Sequence, residues 1–299
     1  VDRSVNKVNA WIKELRIHQW AKNILVFVPL LAAHQYSNST SITAAALAFL
    51  FFSLVASSAY VLNDLVDIQN DRTHQYKNSR PLASGNLSIL SAWLVWPLLA
   101  ISPFFLAFAL LPIRFGMVLA TYLVLTLAYS FILKRIAILD VLVLACLYTL
   151  RIIAGTFAIG VSLSFWLISL SIFMFTGLAF IKRYSELLPL NVDNDKKVKG
   201  RGYMADDLSM ISGMGIAASY CSVLVAALYV QDPHTAILYK MPQFIWLICP
   251  LLLYWVSYMW LRTIRGQLHE DPIAYALKDP TSWIVLGFIV AVFAAARLI

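Results

Sequence analysis

The sequence predicts an all-α, polytopic membrane protein with nine transmembrane helices and a cytoplasmic N-terminus. Of its 299 residues, 61% are hydrophobic and only 13% are charged, whereas a soluble domain has about 25% charged residues. Apolar runs recur along the whole chain, each near the roughly 20 residues that a helix needs to cross a bilayer. Because these runs are continuously apolar rather than alternating, they predict helices and exclude a transmembrane β-barrel.

The elements follow from these runs in order. Residues 1–20 carry Lys7, Lys13 and Arg16 among apolar side chains such as Trp11, which predicts an amphipathic helix on the membrane surface. Residues 21–299 are expected to form a single transmembrane domain. Its nine spans are predicted at residues 22–36, 42–65, 88–111, 115–133, 138–159, 162–183, 209–231, 243–264 and 280–298. Polar loops are expected to cap the cytoplasmic face at residues 63–88, 184–208 and 265–279.

The basic residues set the orientation. With the N-terminus inside, 19 of the 23 Lys and Arg residues fall on the cytoplasmic side, as the positive-inside rule requires. Among the acidic residues, only Asp232 is assigned to the outer side. The net charge is +8, but long apolar runs separate the basic residues. This pattern indicates contact with anionic membrane lipids and no nucleic-acid partner. We therefore expect the functional residues at the cytoplasmic face.

One polar cluster follows the second span. At 100° per helical residue, Asn63, Asp64, Asp67 and Asp71 share a sector of about 100°. Carboxylates stacked on one helix face repel each other unless a cation joins them. Mg²⁺ uses one or two carboxylates and completes its shell with water and substrate phosphates. The cluster therefore predicts a seat for Mg²⁺ and a diphosphate, the alternative being a solvated helix end.

Basic residues accompany this cluster and recur elsewhere near the predicted inner face. They are candidates for binding phosphate groups, because cations neutralise a metal-bound diphosphate and stabilise it as it leaves. Membrane anchoring is the competing interpretation for each. The phosphate-binding candidates are Lys22, Arg72, Lys77, Arg80, Arg151, Lys182 and Arg183.

Arg151 lies in the middle of a predicted span, where a lone guanidinium is costly. It needs an acidic partner or an anionic ligand, and Asp140, three turns earlier, is a candidate to line the same cavity. A structural ion pair is the alternative. Further substrate-binding candidates are Arg16, Gln19 and Asn23 before the first span, and Tyr184 and Glu186 after the sixth. The polar end of the second span, with its aspartates, and the polar end of the sixth span, with Lys182 and Arg183, are predicted to form one cleft for polyanions.

The pattern Asn63-Asp64-x-x-Asp67-x-x-x-Asp71 resembles the first signature of the UbiA prenyltransferase superfamily. The nine spans and the polar loops after even-numbered spans are similar too. The resemblance implies an all-helical bundle that holds Mg²⁺ and a diphosphate under a cytoplasmic cap. Asn63, Asp64, Asp67 and Asp71 would bind the metal, with the three aspartates catalytic. It also implies an integral protein of the bacterial inner membrane.

The second family signature is normally another Asp-rich segment, and this chain has Lys182-Arg183-Tyr184-Ser185-Glu186-Leu187 instead. This form, with Arg16-x-x-Gln19-Trp20-x-Lys22-Asn23 and Asp271-Pro272-x-x-x-Ala276-Leu277-x-Asp279, resembles the polyprenyl-phosphate phosphoribosyltransferase branch. That branch transfers 5-phosphoribosyl from phosphoribosyl diphosphate to a polyprenyl phosphate and releases pyrophosphate. Extra cations suit the additional phosphates of these substrates.

Two other functions stay open. Within the family, the alternative is prenyl transfer from an isoprenoid diphosphate to an aromatic acceptor. Outside it, the alternative is a transporter or a lipid-binding membrane scaffold. Transporters usually place charges near the bilayer midplane and are built from related halves, whereas most acidic residues here are expected at one face.

Overall fold

The computed structural model describes residues 2–73, 77–192, 202–232, 238–268 and 271–298. Each of the three predicted cap loops lies partly outside these ranges, at residues 74–76, 193–201 and 269–270. Within the described ranges the chain is helical, with short connections and no β-strand.

The α-helices in the described ranges have the following bounds: α1 Asp2–Glu14, α2 Val28–Ala32, α3 Ser39–Val66, α4 Ile68–Thr73, α5 Ile89–Leu110, α6 Ile113–Phe131, α7 Leu139–Ala158, α8 Phe165–Val192, α9 Leu208–Val230, α10 Ile248–Ile264, α11 Pro272–Lys278 and α12 Pro280–Leu298. Short 3₁₀ helices occupy Ile17–Phe27, Lys77–Ser79, Leu133–Arg135, Ala205–Asp207 and Pro242–Leu247.

Eight helical segments in the described ranges are long and apolar enough to cross a membrane. They comprise α3, α5, α6, α7, α8, α9, α10 and α12, where α9 and α10 are extended by the preceding 3₁₀ turns. The prediction of an all-α polytopic membrane protein is therefore confirmed. The ninth span is not confirmed, because residues 22–36 form the end of a 3₁₀ helix followed by the five-residue α2. Pro29, in the first turn of α2, has no N–H for a continuous α-helix. The cytoplasmic position of the N-terminus stays a prediction.

The contacts divide the chain into two compact units, which we describe separately. The first comprises residues 1–131 and 150–163, and the second comprises residues 132–149 and 164–299. In the first unit, α1 docks against the C-terminal part of α3 and the loop that follows α4. Ala10 lies in a buried cluster with Val61, Leu65, Leu82 and Leu87. The predicted surface helix is thus packed on one face.

The 3₁₀ helix that follows α1 runs antiparallel to α3, held by polar side chains. Ser57 on α3 donates to the Leu15 carbonyl at 2.7 Å and accepts from the Trp20 indole at 3.0 Å. Further along, the Asn23 amide donates to Ser53 at 2.9 Å. As the residue numbers rise on the 3₁₀ helix they fall on α3, and this register places Arg16 near the end of α3.

In the second unit, small residues let helices approach closely. Gly177 on α8 faces Ser219 on α9, and a Cβ added at Gly177 would lie 2.2 Å from the serine hydroxyl. Gly215 similarly accommodates the Trp260 ring and Phe180. The Trp260 indole donates to Ser219 at 3.0 Å. Small residues and interhelical hydrogen bonds are typical of helix packing in membranes, where water does not drive association.

Candidate functional site

The predicted aspartate cluster spans the junction between α3 and α4. Asp67 ends α3, yet its N–H bonds to the Asn63 carbonyl and its carbonyl accepts from the Asp71 N–H, both at 2.9 Å. These i to i+4 bonds keep the helical register across the junction. Asp64 and Asp71 are almost fully buried, at 3% and 2% exposure, and Asn63 and Asp67 are half-buried. The aspartates are therefore not splayed into solvent.

Arg80 joins the two buried carboxylates through one nitrogen. Its Nη1 lies 2.9 Å from Asp64 Oδ1 and 2.7 Å from Asp71 Oδ2. The two oxygens therefore cannot be farther apart than the sum of these distances. Buried carboxylates require such pairing, because desolvation otherwise disfavours their charge.

The loop after α4 carries Arg80 to this position. Leu82 and Leu87 are buried in the cluster against α1 and α3, which anchors the loop on both sides of its turn. The Leu87 N–H bonds to the Pro81 carbonyl at 3.1 Å, and Gly85 supplies the positive φ of 80° that the turn needs. Arg80 is thus held immediately before an anchored turn.

Arg16 is a second cationic partner of Asp64. Its Nη2 lies 2.7 and 2.9 Å from the two Asp64 oxygens, and its guanidinium stacks over the Tyr60 ring at 4.8 Å. Arg16 has a φ of 50°, in the left-handed region that non-glycine residues rarely adopt. Such backbone conformations persist where surrounding contacts enforce them. The structure places Arg16 on the aspartate cluster, whereas the sequence suggested contact with substrate.

Glu14 is a member of this cluster that the sequence analysis missed. It follows Ala10 by one helical turn, so the docked face of α1 carries it inward, and it is only 1% exposed. Among the described residues, no donor meets either carboxylate oxygen in full hydrogen-bond geometry, although the Leu82 backbone amide lies close enough to stabilise the charge. Burial and then the Asp64 charge raise the pKa of Glu14 to about 7, partly offset by Arg16, the Leu82 backbone amide and Arg80. The helical period carried no signal for it, because Glu14 lies within about 20° of Lys7 and more than about 100° from Val8 and Ile12 on the apolar stripe of α1.

The other predicted residues around the aspartates have weaker contacts. The Asn63 amide donates to Ser130 at 3.0 Å. No hydrogen bond or ion pair joins the Asp67 carboxylate to any residue in the described ranges. Lys77 Nζ is 4.0 Å from Asp71 with its side chain 46% exposed, and Arg72 is exposed. Arg80 and Arg16, rather than these residues, therefore neutralise the buried carboxylates.

The donor set suits a hard cation. Within the described residues, no group of three His, Cys, Asp or Glu side chains is close enough to hold a metal ion together. Mg²⁺, however, needs only one or two carboxylates plus water and phosphate oxygens. The point where Asp64 and Asp71 converge already holds the cationic Nη1 of Arg80, and Asp67 is free to join. The residues present therefore fit Mg²⁺ once Arg80 Nη1 has moved away from the two carboxylate oxygens.

Arg151 belongs to the same unit as the aspartate cluster but lies farther along α3 from it. It is 6% exposed, donates from Nε to Asn23 at 2.8 Å and from Nη2 to the Tyr122 hydroxyl at 3.1 Å. Asn23 in turn contacts Ser53, eleven residues before Asp64 on α3, which corresponds to about 16 Å of helix. Arg151 and Asn23 thus form a second buried polar group at a distance from the aspartates. Lys22 and Gln19 are half-buried nearby in sequence.

In the second unit, Lys182 and Arg183 have different partners. Lys182 Nζ is 3.2 Å from Asp271, which also caps α11 by accepting from the Ile273 N–H at 3.2 Å. Glu186 pairs with Arg183, and the half-buried Tyr184 packs edge-on against Trp260. The prediction that this helix end and the aspartate cluster form one cleft stays a prediction.

Arg183 lies inside a buried ion pair. Its side chain is 1% exposed, and its Nε lies 2.6 Å from Oδ2 of Asp140, which is fully buried. Asp140, offered by the sequence as a companion of Arg151, is instead engaged by Arg183. Arg183 is thus not a membrane-anchoring cation in this arrangement, and its predicted role in phosphate binding stays a prediction.

Tyr203 completes the buried pair. Its hydroxyl donates to Asp140 Oδ1 at 2.6 Å and accepts from the Ile138 N–H at 2.7 Å. Burial, with the hydrogen bond to Asp140, raises the pKa of Tyr203 above its usual range. Ile138 has a φ of 67°, a strained conformation for a β-branched residue. At the neighbouring Gly202, an added Cβ would lie 2.7 Å from the Arg135 carbonyl. Gly202 and Tyr203 therefore dock the end of the polar loop onto residues 135–140.

Comparison with known proteins identifies the chain as a membrane transferase. The sequence matches the UbiA prenyltransferase family over residues 24–278, and the chain belongs to that family. A solved UbiA homolog from Archaeoglobus fulgidus, bound to GPP and Mg²⁺, aligns with 95% of this chain and 98% of its own, with a TM-score of 0.66 and 17% identity. At that identity the likeness concerns the fold.

Sequence relatives are closer. The uncharacterized protein y4nM of Sinorhizobium fredii is 38% identical over 97% of this chain, which spans only 56% of y4nM. The nodulation protein NoeC of Azorhizobium caulinodans is 34% identical over 91% of this chain and 88% of its own length. The decaprenyl-phosphate phosphoribosyltransferase of Mycobacterium tuberculosis is 36% identical over 61% of each chain. The chain is thus similar to proteins with different names.

Proposed function

We propose that the protein transfers 5-phosphoribosyl from phosphoribosyl diphosphate to a polyprenyl phosphate and releases pyrophosphate, with Mg²⁺ as its cofactor. The observation that carries the proposal is the pair of buried carboxylates, Asp64 and Asp71, that meet at one cationic nitrogen of Arg80 beside Arg16. Carboxylates and arginines in one buried cluster suit a diphosphate and its metal ion together. The similarity to the mycobacterial decaprenyl-phosphate phosphoribosyltransferase supports this donor and acceptor.

Each group of residues has a separate role in this proposal. Asp64, Asp71 and Asp67 would hold Mg²⁺, which when bound would supply charge neutralisation for the diphosphate. Arg80 and Arg16 turn from the carboxylates to the diphosphate oxygens, because guanidinium groups bind phosphate oxygens strongly. Their positive charge stabilises the pyrophosphate as it leaves.

The group transfer needs little proton chemistry. The bond from the anomeric carbon of ribose to the pyrophosphate oxygen breaks, and its electron pair leaves with pyrophosphate. A lipid phosphate oxygen forms the new bond to that carbon. Since this phosphate is already an anion, the protein has no proton to remove from it and requires no strong general base.

The same cluster also suits the alternative of prenyl transfer, because both donors carry a diphosphate. Purified protein in lipid, with Mg²⁺, is given polyprenyl phosphate plus labelled phosphoribosyl diphosphate, and in a separate reaction an aromatic acceptor plus labelled geranyl diphosphate. We expect label to enter lipid from the first donor and to be lost in Asp64→Asn. Asp206→Asn, at an exposed carboxylate, is the matched control and should retain transfer. Transfer from geranyl diphosphate alone would refute the proposal.

A further inference from the structure

Glu14 has no assigned function and an unusual environment. It is buried to 1% exposure on the docked face of α1, and among the described residues neither oxygen has a donor in full hydrogen-bond geometry, the Leu82 backbone amide being the one donor that acts on its pKa. Leaving a buried polar group without a partner costs free energy. A buried carboxylate whose oxygens lack a well-formed hydrogen bond is therefore a candidate to bind a ligand that donates hydrogen bonds.

The surroundings of Glu14 place it at the aspartate cluster. Glu14 lies two residues before Arg16, whose guanidinium binds both Asp64 oxygens, and Ala10, one turn earlier, packs with Val61 and Leu65 near the same end of α3. The charges of Asp64, Arg16 and Arg80 also act on the Glu14 carboxylate. Both arginines are already committed, Arg16 to the two oxygens of Asp64 and Arg80 to Asp64 and Asp71. Glu14 therefore lies beside the groups proposed to hold the diphosphate, but does not share their ion pairs.

The chemistry of the two possible donors differs at this position. The group attached to the diphosphate is either a sugar or an isoprenoid chain. A hydrocarbon chain offers no donor, and packing it against an unpartnered carboxylate would be unfavourable. A ribose offers two adjacent hydroxyl groups, and a carboxylate offers two acceptor oxygens. An acidic residue binds the ribose hydroxyls in the same manner in dinucleotide-binding folds.

We propose that Glu14 accepts hydrogen bonds from the adjacent hydroxyls of the sugar donor and so selects a sugar diphosphate over an isoprenoid diphosphate. This inference rests on the proposed phosphoribosyl transfer and deepens it. It assigns the choice of donor to the interfacial helix α1 as well as to the transmembrane helices.

The test compares ligands that share the diphosphate but differ in hydroxyl groups. Binding of phosphoribosyl diphosphate and of pyrophosphate, each with Mg²⁺, is measured by calorimetry on the full chain in detergent. We expect Glu14→Gln to weaken the sugar donor roughly 10-fold and Glu14→Ala roughly 100-fold, from the strength of hydrogen bonds to charged groups. Pyrophosphate should bind with equal or higher affinity in both variants, because a negative charge has been removed. Opposite signs for the two ligands are the signature of the proposal.

Three outcomes separate this inference from the proposed function. Equal weakening of both ligands would mean that Glu14 supports only the diphosphate site, which overturns the inference. Wild-type protein that binds pyrophosphate and geranyl diphosphate but not phosphoribosyl diphosphate would refute the proposed function itself. If Glu14→Ala does not fold, the test instead compares the binding of the sugar donor and of its 2-deoxy analogue, in the wild type and in Glu14→Gln. The wild-type protein should bind the 2-deoxy analogue more weakly, and Glu14→Gln should lose that difference. An unchanged difference would overturn the inference.

Discussion

Replacing Arg80 with methionine should tighten Mg²⁺ binding while abolishing transfer. Arg80 Nη1 occupies the point where Asp64 Oδ1 and Asp71 Oδ2 converge, at 2.9 and 2.7 Å. A metal ion must therefore displace this nitrogen before it can bind both oxygens. Methionine keeps much of the apolar stem of arginine and removes the competing charge.

The structure sets the size of the effect. Removing one partner of a fully buried ion pair costs about 3–5 kcal/mol. The Arg80 side chain is 29% exposed, whereas the side chains of Asp64 and Asp71 are 4% and 3% exposed. Solvent screening at Arg80 therefore reduces the expected loss of stability, without metal, to about 2 kcal/mol. Much of that cost is repulsion between the carboxylates, which Mg²⁺ relieves. We expect its Kd to fall at least about tenfold, which corresponds to about 1.4 kcal/mol.

The assay is thermal unfolding of the detergent-solubilised protein over a Mg²⁺ titration, alongside phosphoribosyl transfer. Arg80→Met should melt lower than wild type without metal and gain more from Mg²⁺, yet lose at least about 99% of its transfer because the leaving pyrophosphate lacks its cation. Lys77→Met is the matched control, since Lys77 lies 4.0 Å from Asp71 and is half-exposed. Its stability should change by less than about 1 kcal/mol. A weaker metal response in Arg80→Met than in wild type would refute competition at this point.

Three further predictions concern buried polar groups. In the ligand-free protein, the pKa of Glu14 is raised from 4.5 to about 7, so the folded state binds more protons between these values and stability falls as pH rises through them. Glu14→Gln should remove this pH dependence and raise the free energy of unfolding by up to about 3 kcal/mol relative to wild type by pH 8. The measurement is melting temperature against pH, and parallel curves for the two proteins would contradict the prediction. Tyr203→Phe should cost about 1–3 kcal/mol, because Asp140 and the Ile138 N–H lose a buried partner, while pyrophosphate affinity stays unchanged in calorimetry. Arg183→Met should destabilise by about 3–5 kcal/mol, because it leaves the charge of the buried Asp140 without its counter-ion. The measurement is denaturation, and an equal loss in Lys182→Met would contradict the prediction.

The sequence could predict features that depend on local periodicity. Asn63, Asp64, Asp67 and Asp71 lie at one helix end because their spacing follows the helical period, and the backbone bonds across Asp67 preserve that period. The eight helices that are long and apolar enough to cross a membrane could be predicted for the same reason, since each is one long apolar run. The run at residues 22–36 shows the limit of this reasoning. Apolar composition does not require one continuous helix, and here Pro29 lies in the first turn of a separate short helix, α2.

The sequence could not predict which distant residues pair. Arg16 and Asp64 are 48 residues apart, and their contact depends on the antiparallel register of the 3₁₀ helix along α3. The sequence likewise did not indicate that Arg183 pairs with Asp140, because Asp140 lies on another helix. Such pairings depend on packing, which the spacing of residues along the chain does not encode.

The charges of the aspartate cluster predict an order of binding. Three buried carboxylates, from Glu14, Asp64 and Asp71, face two guanidinium groups, from Arg16 and Arg80. With all groups ionised the cluster is negative and repels a diphosphate, and the raised pKa of Glu14 relieves only part of this. Adding a divalent cation reverses the sign of the net charge and releases the arginines to bind phosphate oxygens. The same argument requires that metal and diphosphate each strengthen the binding of the other, because such coupling is reciprocal.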